Sequence, residues 1–185
     1  MFFSIFKSSN GFFLKAFSKK ISIAFITAIF FAGCGQTGFQ TVPTKIEDFE
    51  GNTVEGEVSS YSKEKGKATL IVISASWCSA CNSELPAIKQ IGKEYESNGL
   101  KILVVNEDDD IETAARYKKA KNIQWTMLHW NYDMMNKLGN PGVIPVHYLV
   151  DANDSIQRID VGVLNQSKVK HELNRLLKPQ DSGTK

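Results

Sequence analysis

The segment Ala68–Ser74 (ATLIVIS) constrains the fold more than any other part of the chain. A run this rich in β-branched residues, with no alternation of polar and apolar positions, reads as a strand buried on both faces, inside a sheet covered by helices. The residues after it change period. From Cys78 to Ser97 the pattern is helical, with Leu85, Ile88, Ile91 and Tyr95 on one stripe, and Asn98-Gly99 reads as the C-terminal cap. Leu100–Val105 (LKILVV) is a second strand of the buried type. The spacing therefore predicts a β-α-β unit over residues 68–105, its strands parallel.

Other elements extend this unit. Short alternating pieces from Ile46 to Val58, around Gly51-Asn52 and Gly56, predict an N-terminal hairpin, and Lys63–Lys67 a charged turn. Asp108, Asp109 and Asp110 precede an expected helix over Ile111–Ala120, whose tail carries Arg116, Lys118, Lys119 and Lys121. Both charge runs read as complements to the helix dipole on a solvated face. A strand is expected over Trp125–Trp130, a short helix over Tyr132–Leu138 stopping at Gly139, strands over Val146–Val150 and Ile156–Val161, and a last helix over Ser167–Leu177. Strands that alternate with helices and end in a hairpin predict the α/β class with a central mixed β-sheet flanked by helices.

The N-terminus reads as a targeting segment. Lys7, Lys15, Lys19 and Lys20 precede an apolar run over Ile21–Ala32, too short to span a bilayer comfortably. It ends in Phe31-Ala32-Gly33-Cys34, which resembles the lipobox of bacterial lipoproteins, with Phe31 where leucine is usual. That resemblance implies a signal peptide over residues 1–33 and a lipid on Cys34, holding the chain to a bacterial membrane. Residues 34–45 then form a tether, 46–178 the domain and 179–185 a flexible tail. A formal net charge of +2, with no basic stripe interleaved with aromatics, argues against a nucleic-acid partner.

Only Cys78 and Cys81 remain once Cys34 carries lipid, since the chain has 3 cysteines. They sit where a buried strand hands over to a helix. Unpaired N–H groups and the dipole of a first helical turn stabilise a thiolate, so a cysteine there becomes a nucleophile near neutral pH. Cys78 can attack a disulfide and Cys81, three residues on, can resolve the mixed disulfide. Zinc is the competing use of such a pair, but it requires four ligands, and His129, His147 and His171 are scattered without ligand spacing. Two idle buried thiols are the other alternative.

The stretch Trp77-Cys78-Ser79-Ala80-Cys81-Asn82-Ser83-Glu84-Leu85-Pro86 resembles the W-C-x-x-C-x-x-E-x-P signature of the TlpA/ResA-like branch of the thioredoxin superfamily. Val143-Ile144-Pro145-Val146-His147 resembles its cis-proline loop, and Gly162-Val163-Leu164 before the last helix is a third match. The resemblance covers about Ile46–Lys178. It implies a thioredoxin fold with an N-terminal hairpin and a helical insertion, within residues 106–140, before the cis-proline loop. It also implies a redox-active Cys78–Cys81 disulfide with no other cofactor. Glu84 would handle protons, Trp77 and Pro145 would shape the substrate surface, and the Ile144 backbone would pair with substrate chain as an added strand. Val72 stands where thioredoxin itself has a buried acid, which leaves Glu84, and more weakly Glu107, for proton transfer. His147 reads as a structural or semi-exposed histidine.

The function this implies is extracytoplasmic thiol–disulfide exchange with exported proteins, more in the direction of a reductant, as in cytochrome c maturation or disulfide repair. A reductant requires a membrane electron donor. The chain is expected to act as a periplasm-facing monomer, and Gly35 after Cys34 favours the outer membrane. The alternative is a lipid-anchored assembly factor that uses the same fold without turnover, against which the intact C-x-x-C pair argues. A peroxidase would share the fold but place its reactive cysteine in a motif not found here.

Overall fold

The computed structural model describes residues 44–139 and 141–177. The expected β-α-β unit forms as β3 (Ala68–Ser74), α2 (Ser79–Tyr95) and β4 (Leu100–Asn106). β3 and β4 pair in parallel from Ala68↔Leu100 to Ser74↔Asn106. Every residue of β3 is buried, as a strand without alternation must be. Gly99, at φ 110°, ends the helix–turn segment in the left-handed conformation that glycine adopts without steric cost.

β3 is the middle of a five-stranded mixed sheet of order β5-β4-β3-β6-β7, with β5 over Thr126–His129, β6 over Val146–Asp151 and β7 over Ile156–Val161. β5 joins β4 in parallel, whereas β6 and β7 run antiparallel to their neighbours. Because side chains alternate along each strand, the sheet feeds two cores. Ile71, Ile73, Leu103, Val105, Val146 and Tyr148 pack on one face against Phe49, Tyr61, Met134 and Leu138. Leu70, Val72, Ile102 and Leu149 pack on the other against Ile88 and Ile91 of α2 and Val169 and Leu173 of α5 (Gln166–Leu177). Each of these side chains stabilises the fold by about 1.5–3 kcal/mol when fully buried.

The segment between β4 and Pro145 holds α3 (Ile111–Ala120), the edge strand β5 and α4 (Tyr132–Lys137), so it extends the sheet as well as adding helices. The N-terminal hairpin, β1 (Glu50–Asn52) with β2 (Val58–Ser60), covers that edge through Val54 N–H to Met127 O at 3.0 Å. Gly51 of β1 lies against α4 as well: a Cβ there would meet Met134 Cε at 2.0 Å, so any larger residue would require that methionine to move.

Two local expectations differ from what forms. Lys63, expected in a charged turn, lies in a one-turn helix α1 (Tyr61–Glu64), capped by Ser60, whose Oγ accepts from Lys63 N–H at 3.3 Å. Thr44 and Lys45, expected at the end of a tether, pair with the β6–β7 turn: Ile156 N–H donates to Thr44 O at 2.9 Å, and Lys45 bridges Ser155. Backbone hydrogen bonding, to which side-chain composition is blind, extends the fold there.

Candidate active site

β3 delivers the chain at its C-terminal end into the turn Ala75–Trp77, and Cys78 caps α2. Its Sγ accepts from Cys81 N–H at 3.1 Å, one of the donors that the first helical turn leaves free. Cys78 and Cys81 are joined, with S–S 2.06 Å and Cα–Cα 5.3 Å. Both are buried, against Ala75, Ala80 and Ile144. The same N–H groups and dipole that hold the sulfur favour a thiolate at Cys78 when the bond is reduced.

The turn is braced from below. Asp108, read in the sequence as one of three solvated charges, is 0% exposed. Its Oδ1 accepts from Ser76 N–H at 2.9 Å and Ser76 Oγ–H at 2.8 Å, and Oδ2 accepts from Asn106 Nδ2 at 3.1 Å. Only Asp110 of the run is the helix cap, accepting from Thr113 N–H at 2.7 Å. β4 ends two residues before Asp108, close enough for its side chain to be tied to Asn106 and Ser76 at the strand ends instead of reaching solvent. Asn82 adds a second brace, donating from Nδ2 to Ser76 O and Cys78 O, both at 2.9 Å.

Glu84 lies one turn past Cys81 and points inward. Its side chain is 2% exposed. Oε1 meets His147 Nε2 at 2.7 Å, and Oε2 accepts from Leu164 N–H at 2.8 Å. Of the two alternatives read for His147, structural or semi-exposed, the structure shows the first: its side chain is 1% exposed, and its Nδ1 has no partner among the described residues. β6 supplies apolar residues on both faces, so a histidine within it has no route to water. Cys81 and Glu84 line one small cavity of about 10 Å³ with Val72, Val104, Tyr117 and Trp125. That volume holds at most about one water molecule. Burial, with Asp108 and Glu84 adding to it, pushes the Tyr117 phenol up.

The residues expected to face a substrate lie next to the disulfide in sequence or in space. The Ile144–Pro145 peptide is cis, Ile144 packs on the cysteine pair, and Pro145 O accepts from Gly162 N–H at 2.8 Å. Trp77 is 67% exposed, so its indole is open to solvent instead of packing in the core. Past the end of β4, a cleft is lined by Glu107, Trp130, Tyr132, Met135 and Gly142. Burial pushes the Glu107 carboxyl above its usual range. Cys34 lies outside the described residues. Among the described residues no group of three His, Cys, Asp or Glu side chains is placed to hold a metal, and no helix is long and apolar enough to cross a membrane.

Comparison with known proteins agrees with this arrangement. The AhpC/TSA family pattern matches residues 42–159. The thiol-disulfide oxidoreductase ResA of Geobacillus thermodenitrificans is 21% identical over 135 residues, 73% of this chain and 78% of that protein. The thioredoxin-like protein YneN of Bacillus subtilis is 28% identical over 137 residues, 69% and 75% of the two chains. Among solved structures, a putative thiol:disulfide interchange protein DsbE from Chlorobium tepidum superposes with a TM-score of 0.65 at 21% identity, covering 72% of this chain and 95% of that one. It has the same fold.

Proposed function

This chain belongs to the AhpC/TSA family, as a ResA-like member of the thioredoxin superfamily, and we propose that it is a thiol–disulfide oxidoreductase acting on exported proteins through Cys78 and Cys81. One observation carries the reading: the joined pair caps a helix beside the cis Ile144–Pro145 loop, with a buried carboxyl one turn away. Reduced Cys78 attacks a client disulfide as thiolate, and one client sulfur leaves with a proton. Cys81 then gives its proton to Glu84 and attacks Cys78 Sγ. The Cys78–Cys81 bond forms, the second client sulfur is released, and the client is reduced by two electrons as the pair is oxidised.

The partner surface is built for protein clients. Trp77, Tyr132 and Val143 are exposed around the site, and an extended client segment can pair with the backbone at Ile144. The resemblance to ResA-like proteins favours the reductant direction, with electrons from a membrane donor. The lipobox-like Phe31–Cys34 favours a lipid-anchored, periplasm-facing protein, outer membrane over inner. No cofactor beyond the cysteine pair is called for by this chemistry, and the C-x-x-C pair favours exchange over peroxidase activity.

The test is capture. Cys81→Ser leaves the attacking thiol and removes the resolving one, so mixed disulfides with exported proteins accumulate and dissolve on reduction. Cys78→Ser abolishes both turnover and capture. If Cys81→Ser captures nothing, the enzyme reading gives way to that of an assembly factor.

A further inference from the structure

Resting on the reading of Glu84 as the proton acceptor, we propose that His147 is a positioning residue for the resolving step: Nε2–H, donated to Oε1, orients the Glu84 carboxyl toward Cys81 and holds it in its proton-accepting form.

Packing alone does not account for this histidine. β6 is otherwise apolar up to Asp151, and the cross-strand neighbour of His147 on β3 is Val72. A leucine would fill the position without a polar atom. Instead the ring is buried with Nδ1 unpartnered among the described residues, an arrangement that costs desolvation and is kept only where the other nitrogen contributes something. An ionised carboxylate only accepts hydrogen bonds, so in that state the hydrogen between the two groups is on Nε2. Two donors then converge on Glu84, the Leu164 N–H and the imidazole. Donors to the charged form favour that form.

The surroundings leave few other groups to set the proton affinity of the pair. α2 contributes Cys81 and Glu84 itself. β3 and β4 contribute Val72, Ser74 and Val104, and α3 the protonated phenol of Tyr117. Behind Tyr117 lies Asp108, already satisfied by Ser76 and Asn106. On β7 the register partner of His147 is Asp160, whose carboxylate is held by Arg158. α5 packs only apolar side chains against that core, Val169, Leu173 and Leu177 with Leu176 at its margin. Cys81 thus shares its cavity with one carboxyl, and that carboxyl has one titratable partner.

In the resolving step the Cys81 S–H bond breaks, its proton passes to Glu84, and the thiolate sulfur bonds to Cys78 Sγ as the Cys78–client S–S bond breaks; the client thiolate takes a proton from solvent. His147 gains and loses nothing. It keeps Glu84 ready to accept.

The experiment mixes the fully reduced, full-length chain with oxidised glutathione, quenches in acid across a range of pH, and resolves reduced, glutathionylated and disulfide forms by mass. His147→Leu is expected to shift the midpoint of the resolving rate up by about one pH unit, to slow resolution about tenfold on the acidic limb, and to leave the rate of glutathionylation at Cys78 unchanged. His147→Gln, whose amide can donate to the same oxygen, is expected to return the midpoint toward that of the parent. An unshifted midpoint in His147→Leu overturns the inference, and so does equal slowing of both steps without a shift, the mark of a purely structural residue. Glu84→Gln separates the two levels. If it resolves as fast as the parent at every pH, the reading of Glu84 fails and this inference with it. If it resolves slowly while His147→Leu is unshifted, only the role of His147 fails.

Discussion

Two carboxyl groups are buried near the cysteine pair, one bracing the turn before α2 and one on α2 itself, and they are held in opposite ways. Asp108 receives a backbone N–H, a hydroxyl and an amide, none of which titrates near neutral pH. Glu84 receives one backbone N–H and one imidazole, and lines the cavity of Cys81. A buried carboxylate whose donors are fixed is a brace. One that lines the cavity of a sulfur which must lose a proton is placed for chemistry under the proposed function. The difference lies in the donors, since both side chains are buried.

The comparison breaks most visibly at Asp108. Asp108→Ala strands the Ser76 and Asn106 donors, and a loss of about 3 kcal/mol is expected in denaturant unfolding of the disulfide form. The pH midpoint of the resolving step is expected to stay where it is. A shift in that midpoint would show that Asp108 also takes part in proton transfer. Glu84→Gln is expected to do the reverse: resolution slows about tenfold to a hundredfold in single-turnover exchange, while the fold keeps the Leu164 bond and unfolds at a similar denaturant concentration.

Glu107 sharpens the contrast, because it is half-buried in the neighbouring cleft with burial alone pushing its carboxyl up. With the folded value above the unfolded one, the ionised form weakens the fold, and stability rises as pH falls through the folded value. Glu107→Gln is therefore expected to stabilise by about half a kcal/mol at neutral pH after allowance for solvent screening, and by nothing in acid, read from unfolding at the two pH values. An effect of the same size and opposite sign lies far from the site. Burial pushes the Asp154 carboxyl up, but hydrogen bonds from Lys65 and Tyr61 outweigh it and hold it below its usual range. Its contribution is present at neutral pH and is lost as pH falls through the folded value. Asp154→Asn, tolerated at φ 65°, is expected to cost about half a kcal/mol near neutral pH and nothing in strong acid, by the same measurement.

What could be read from the sequence follows the same division. Elements that depend on apolar period were legible: β3, α2, β4 and α5 fall within a few residues of expectation, because burial on one or both faces dictates them. Cys78, Cys81 and Pro145 were legible because their motif is local. Asp108 was not, since three successive aspartates carry the same composition whether one of them turns under the sheet or not. His147 was legible only as structural or semi-exposed, although a signal for its burial existed. Val146, Tyr148 and Val150 claim one face of β6 and Leu149 the other, so a histidine between them is buried and requires a partner. That Glu84, 63 residues earlier, is this partner is a fact of tertiary structure.

The most direct test of the central claim is the reduction potential of the Cys78–Cys81 pair, by equilibration in dithiothreitol buffers on the soluble chain after Cys34. A reversible two-electron couple at or below about −270 mV, in the range of thioredoxin, is expected. A couple near about −120 mV would contradict the reductant direction, and the absence of any reversible couple would contradict the enzyme itself.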